Sequence, residues 1–432
     1  MMDHYNYNSS TVLKYLRKVL NELNEGYVDS GVRTGFIMKR YCEKYNIAEE
    51  VGSNLVLLCL LKNIGVYYQD NVIPKNNHAL AAASTYTFLR YCSPLGEHAK
   101  PLLFFKARYM EDIESEDYTY GLLITLINQI VMYIYQEYTL EEINDLIKKD
   151  TRGYFHPDQV KKCLRLLRDE EDILEKLNDT KSSLYIYETS NYILKTKFSD
   201  DELLSFIDTT NFAFEFHNHE TIGHTITTEA IAEALAKLSR LTPGMVEEIK
   251  LAGLLHDIGK IRVPASILSY PGKLEGENAK EMRRHVVYTR EILENSFSYK
   301  IVEIASNHHE RLDGSGYPRG LRAIDLSIGD KIIAVADMAS ALYCKRSYKD
   351  SFSAEQIQSV IDKEAREGRL DRRICNHFLD NFDEIMEEAK ARETIVIEKY
   401  RAMKKMYDEL STSDSLHSFF DSNDDSTDIF DE

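Results

Sequence analysis

Eight side chains in the middle and later part of the sequence are of types that bind divalent cations: Glu220, His224, His256, Asp257, His285, His308, His309 and Asp337. Seven of the 13 histidines fall between residues 217 and 309, and no cysteine lies in that stretch. Imidazole and carboxylate without thiolate point to a catalytic metal rather than a structural zinc. Glu220 and His224 are four residues apart, so one helical turn would put them on one face. The adjacent pair His256-Asp257 can offer one neutral nitrogen and one carboxylate able to bridge two cations. An isolated histidine on a helix is ordinarily a core or surface residue. Recurrence at successive helix ends is what favours a site, and His217 and His219, read as loop residues, are left out of it.

The elements that must position these groups read as helices. Only 8 Pro and 19 Gly interrupt 432 residues. Ile231, Leu235, Leu238 and Leu241 recur at helical spacing, as do Val246, Ile249 and Gly253. His256-Asp257 closes the second of these runs, just before Gly259, a plausible helix stop. His308-His309 follows the run from Ile301 to Asn307. Asp337 sits in the nearly all-apolar run from Lys331 to Met338, where an unpaired acid is costly and should meet a metal or a cation. Ser353-Ala-Glu-Gln predicts an N-cap with a capping box. Alternating patterns are scarce; Leu184-Tyr-Ile-Tyr-Glu is a short strand or a helix turn. The fold class expected is all-α.

The formal charge is −18, which argues against duplex nucleic acid as a partner but not against an anionic substrate at a locally cationic site. The first twenty residues have no apolar signal core, and the run Leu55–Leu61 is too short to span a bilayer. These features predict a cytoplasmic protein without membrane attachment. Six scattered cysteines with no CxxC read as reduced core thiols. The charged run at Arg168 and the polar stretch after Asn178 suggest a linker at 171–200. From Ser411 onward seven acids, six serines and no Lys or Arg predict a disordered tail, with Phe419-Phe420 and Ile429-Phe430 as a conceivable docking peptide.

The halves also resemble each other. Leu57-Leu-Cys-Leu-Leu-Lys-Asn-Ile-Gly parallels Leu251-Ala-Gly-Leu-Leu-His-Asp-Ile-Gly. Thr139-Leu-Glu-Glu-Ile parallels Ser353-Ala-Glu-Gln-Ile, and Gly153-Tyr-Phe-His-Pro-Asp parallels Gly368-Arg-Leu-Asp. A repeat of this length is two copies of a domain rather than a solenoid.

Residues 220–350 resemble the HD-GYP domain, a branch of the HD metal-dependent phosphohydrolases. The matching text is Leu254-Leu-His-Asp-Ile-Gly-Lys260, Val263-Pro, Ile267-Leu268, Pro271-Gly-Lys-Leu274 and His285. It continues with His308-His-Glu-Arg-Leu-Asp-Gly-Ser-Gly-Tyr-Pro318, Ala334-Val-Ala-Asp337 and Arg346-Ser-Tyr-Lys349. One departure is Ser269-Tyr270, where a polar-Lys pair is more usual. The resemblance implies an HD-type helical bundle over 201–395. It also implies a second, degenerate HD-like domain over 1–170, and a helix end and tail over 396–432. In the first half Lys62-Asn63 stands for His256-Asp257, Val66 for Lys260, Asn128 for Asp337, and His78 is matched to His285. A lysine at the first ligand position predicts no metal there; the half would serve dimerisation, regulation, sensing or simple support.

The same resemblance implies hydrolysis of c-di-GMP, a bacterial second messenger, to pGpG and in some members on to GMP. His224, His256, Asp257, His285, His308, His309 and Asp337 match the ligands of two metal ions, and Glu220 matches an acid that accompanies a third. Iron is the first expectation and manganese the second. Lys260 matches a phosphate-side lysine, and Lys260 and Asp257 are the expected catalytic residues. Arg346 and Lys349 match cations that hold the substrate phosphates. Gly316, Tyr317 and Pro318 match a loop beside the site that is also linked to partner proteins. Metal ions there would activate a water and neutralise charge on the phosphodiester. The alternative is a signalling module, dimeric or partnered, that binds c-di-GMP and turns over little.

Overall fold

The computed structural model describes residues 8–23, 25–65, 77–149, 153–178, 184–195, 197–215, 222–270, 272–344 and 352–420. The regular elements among these residues are all helices, with one isolated bridge between Asp313 and Arg322 and no strand. No described helix is long and apolar enough to cross a membrane, and all six cysteines are free. The chain divides into two compact units, Met1–Glu22 with Thr210–Tyr400 and Leu23–Thr209 with Arg401–Glu432.

The first unit carries the candidate site. The Pro243–Leu255 helix starts at Thr242, whose side chain accepts from Met245 N, with Pro243 in the first turn, where a missing N–H costs nothing. It packs on the Ile222–Leu238 helix at Gly253, where a Cβ would lie 3.1 Å from Glu229 Cα. The Ile328–Tyr343 helix begins with a capping box between Ser327 and Asp330. It buries Ile332, Ile333, Val335, Ala336 and Ala339. Ser353 and Gln356 form the capping box expected there.

The Ser9–Leu23 helix belongs mostly to this unit rather than to a domain spanning 1–170. Its Tyr15 is fully buried, meets Phe297 edge-on at 5.2 Å and accepts a hydrogen bond from Thr210 Oγ1 at 3.1 Å. Glu22 takes two hydrogen bonds from Arg262, at 2.7 and 2.6 Å. An amphipathic stripe shows that a helix must be covered; it does not show which core covers it.

In the second unit the segment expected as a linker is helical, as Asp172–Asn178 and Leu184–Ile193. Tyr185, Thr189 and Tyr192 are buried, so the Leu184 run is a helix and not a strand. The tail is ordered as far as Phe420. Ser413 caps the Asp414–His417 helix, and Phe419 and Phe420 pack on the buried cluster Ala107, Tyr118 and Leu122. Phe419 O accepts from Arg108 N at 2.8 Å. Two aromatic rings offset the ordering entropy that the acidic composition around them would not. Ile429 and Phe430 lie outside the described residues.

The segments ending at Gly65 and Gly259 share one local packing arrangement. A Cβ on Gly65 would meet Thr85 N at 2.3 Å, and one on Gly259 would meet Thr289 N at 2.4 Å. Thr85 Oγ1 donates to Lys62 O, as Thr289 Oγ1 donates to His256 O. In this register Lys62 stands for His256, and Ala81, four residues before Thr85, stands for His285. The match of His78 to His285 is therefore displaced by three residues.

Lys62 is 3 % exposed; its Nζ donates to Ser30 Oγ at 3.2 Å, and Ser30 Oγ donates to Asn128 Oδ1 at 3.3 Å. Burial, reinforced by Lys106 and opposed by Cys59, lowers its pKa to about 8. Between that value and the ordinary 10.5 the unfolded chain holds the extra proton, so stability rises with pH across the interval. Lys62→Met should therefore stabilise the protein most below pH 8, by on the order of 2 kcal/mol, with the gain shrinking toward pH 10.5. Denaturant unfolding at pH 7 and pH 10 measures this; a gain independent of pH would contradict it.

Candidate metal centre

The helix ends converge as two groups of side chains, the groupings of metal-ligating type found among the described residues: His224, His256 and Asp257, and His285, His308 and His309. His224 comes from the first turn of Ile222–Leu238 and Asp337 from the body of Ile328–Tyr343. His256 and Asp257 leave the end of Pro243–Leu255, His285 opens the His285–Leu293 helix, and His308 and His309 follow Tyr299–Ser306.

Asp257 lies between the groups. Its Oδ2 is 3.2 Å from His256 Nε2 and 3.6 Å from His224 Nε2. Its Oδ1 is 3.4 Å from His285 Nε2 and 3.9 Å from His308 Nε2. Asp337 divides in the same way: Oδ1 is 3.2 Å from His224 Nε2, and Oδ2 is 3.4 Å from His309 Nδ1. His256 Nε2 is 3.4 Å from His224 Nε2, and His285 Nε2 is 3.2 Å from His308 Nε2. Like nitrogens at such distances face a common point.

The outer nitrogens explain this aim. Nδ1 of His256, His285 and His308 meets the carbonyl three residues earlier, on Gly253, Met282 and Ala305, at 2.8, 2.6 and 2.7 Å. A carbonyl only accepts, so each Nδ1 carries its proton and each Nε2 presents a lone pair inward. Ser340 does the same for His224, donating to the His224 carbonyl at 2.9 Å while facing Nδ1 at 2.9 Å. Thr289 Oγ1 accepts from Gly259 N at 3.0 Å and donates to His256 O at 2.9 Å.

Electrostatics keep the rings neutral or paired. Burial lowers the pKa of His285 to about 4 and of His309 to about 3, and it holds His308 well below its ordinary value. His224 is also lowered, chiefly by burial. For His256 burial is outweighed by Asp257 and Asp337, so its value is raised. Burial also disfavours the charged form of Asp257 and Asp337, but His256 and Lys260 for the first, and His224 and His309 for the second, hold both carboxyls ionised. Neutral imidazole and ionised carboxylate are the states that coordinate a cation. Five imidazoles and two carboxylates at this spacing fit a pair of divalent ions.

The neighbouring loop is tied down. Gly316 passes so close to the preceding chain that a Cβ would lie 2.4 Å from Arg311 N and 2.5 Å from His309 O. Tyr317 N donates to His309 O at 3.2 Å, and the Tyr317 ring stacks on His309 at 4.7 Å, with Arg283 over it at 5.3 Å. Glu310, 1 % exposed, accepts from Arg319 N at 2.8 Å and Leu321 N at 2.9 Å just after Pro318. Glu303 pairs with Arg290 and, at 2.6 Å, with Arg319. Those cations overcome its burial and lower its carboxyl to about 2.

Of the expected residues, His224, His256, Asp257, His285, His308, His309 and Asp337 come together. Lys260 joins them with its ammonium on Asp257 Oδ2, and Gly316, Tyr317 and Pro318 form the adjoining loop. Glu220, Arg346 and Lys349 lie outside the described residues. Ser340, Thr289 and Glu310 were not singled out from sequence. Ser340 and Thr289 look like ordinary helix residues there, whereas the Glu310 carboxylate, next to His308-His309, could have been flagged as needing partners.

Residues 212–374 match the family described as HD domain. The chain is 27 % identical over 408 residues to the 3′3′-cGAMP-specific phosphodiesterase 1 of Vibrio cholerae serotype O1, covering 87 % of this chain and 92 % of that one. It is 36 % identical over 189 residues to a cyclic di-GMP phosphodiesterase of Thermotoga maritima, covering 43 % of this chain and 51 % of the relative, so the chain spans about half of that protein. A crystal structure of a cyclic GMP-AMP specific phosphodiesterase of V. cholerae shares the fold, with a TM-score of 0.53 at 17 % identity over 87 % of this chain and 97 % of that one.

Proposed function

We propose, from a chain whose residues 212–374 belong to the HD domain family, that it is a metal-dependent phosphodiesterase acting on cyclic dinucleotides. The observation that carries the reading is the division of Asp257, one oxygen toward each histidine group. His224, His256, Asp257 and Asp337 would hold one divalent ion, and His285, His308, His309 and Asp257 the other. Such ions supply Lewis acidity toward a phosphodiester and make water nucleophilic near neutral pH. Histidine and carboxylate donors suit iron, manganese or zinc, and the resemblance to HD-GYP domains puts iron first and manganese second.

The chain's own groups have separate tasks. The anchored Nδ1 atoms of His224, His256, His285 and His308 keep those rings fixed, so little reorganisation is needed when an anion enters. Lys260, at the cavity wall beside Asp257, presents a cation to the phosphate or to the departing 3′-oxygen. Arg346 and Lys349 are assigned by resemblance to the remaining phosphate oxygens. The water oxygen bonds to phosphorus, the P–O3′ bond breaks, and the 3′-oxygen takes a proton. A linear dinucleotide with a 5′-phosphate results, pGpG if the substrate is c-di-GMP.

A relative that covers 87 % of this chain is named for 3′3′-cGAMP, whereas the c-di-GMP relative described above covers 43 % of it. This ordering favours 3′3′-cGAMP as the better substrate and c-di-GMP as the slower one. Incubation of metal-loaded protein with each dinucleotide, followed by chromatography, tests the reading. Linear product from both, at least tenfold faster from 3′3′-cGAMP, is expected. Tight binding of either without linear product would contradict it and favour a signalling module.

A further inference from the structure

We propose that Tyr270 is the platform on which one nucleobase of the substrate stacks, an inference that rests on the dinucleotide reading above. Tyr270 follows the short Ala265–Leu268 helix and forms part of the wall of a 420 Å³ cavity that also includes Asp257, His285, His309 and Asp337. That volume is within the range of small-ligand sites. The cavity wall combines two chemistries: the histidines and carboxylates, and the apolar side chains Ile267, Leu268, Leu274 and Met282, which share one packed cluster. A nucleotide whose phosphodiester meets the first needs a flat apolar surface for the rest of it.

Tyr270 supplies that surface. The residue is 50 % exposed, and among the described residues it is the exposed large hydrophobic residue on this cavity's wall. An aromatic ring half in water on the wall of a cavity of this size can take a flat ligand. The ring is also held in place. A Cβ on Gly272 would lie 2.8 Å from Tyr270 Cε1 and 3.2 Å from its Cζ and Oη, so the ring rests against the glycine backbone. A ring with one supported side and one open side loses little entropy on stacking a base. Stacking accepts any base, so this contact gives affinity for a nucleotide and does not choose between guanine and adenine.

Metal-loaded full-length variants test the proposal. Tyr270→Ala should raise KM for 3′3′-cGAMP about tenfold, with a smaller fall in kcat, and Tyr270→Phe should restore most of the KM. Gly272→Ala should displace the ring and raise KM when Tyr270 is present, but add nothing in the Tyr270→Ala background. The sequence has no tryptophan, so Tyr270→Trp creates a single fluorescent reporter. Its emission should be quenched by a slowly hydrolysed phosphorothioate analogue of the dinucleotide, saturating at the concentration at which the analogue inhibits. An active wild type with a Tyr270→Ala KM within twofold, or a competitive analogue that leaves the indole emission of Tyr270→Trp unchanged, overturns the inference alone. A wild type that cuts neither dinucleotide overturns the functional reading and this inference with it.

Discussion

Asp257→Asn should leave the protein folded, without either metal ion, and with turnover lowered on the order of 10³-fold or more. The amide keeps the shape of the side chain and loses the charge that both histidine groups share, through Oδ2 to His224 and His256 and through Oδ1 to His285 and His308. It also leaves the Lys260 ammonium without its carboxylate, which adds positive charge where a cation must enter. His285→Ala touches one group and should cost one ion of the pair. Elemental analysis beside a turnover assay separates these cases. An Asp257→Asn protein that retains two ions at wild-type turnover would contradict the bridging role.

The second large effect is expected at Gly259. An alanine there would put its Cβ 2.0 Å from His285 O and 2.4 Å from Thr289 N. Both are backbone atoms, so no rotamer change relieves the clash and one helix must move. A cost of about 3 kcal/mol would lower the melting temperature by about 6–12 °C in a unit of this size. The atom that must give way belongs to the residue that opens the His285–Leu293 helix, so hydrolysis should fall sharply even where the protein is still folded. Gly65→Ala makes the equivalent clash with Thr85 N at 2.3 Å, in the other unit. It should lower stability similarly while hydrolysis per folded molecule is kept. Thermal unfolding with activity measured below the transition distinguishes them; full activity in Gly259→Ala would show that His285 is not held through this contact.

What was readable in the sequence follows from what each residue type requires. A histidine-aspartate pair at a helix end, a second histidine pair at another, and an acid inside an apolar helix each demand a partner, and the partners prove to be one another. Ser353 announced its cap because Gln356 completes it. The residues that aim the site were silent: Ser340 and Thr289 bond to backbone and to a ring nitrogen, contacts that leave no periodic trace. The sequence match pairs His78 with His285, whereas the packing at Gly65 and Thr85 puts Ala81 opposite it. Charge composition misjudged the tail as far as Phe420, because two rings on a buried cluster weigh more than the acids around them. The core that covers the Ser9–Leu23 helix lies about two hundred residues away in sequence, a distance no local pattern reports.

The most direct test of the whole account is anomalous diffraction at the metal absorption edge from crystals of metal-loaded protein. The account predicts two strong peaks on either side of the Asp257 carboxylate, one among His224, His256 and Asp337 and one among His285, His308 and His309. A map with no peak in that pocket, or with its metal bound only at another site, would contradict it.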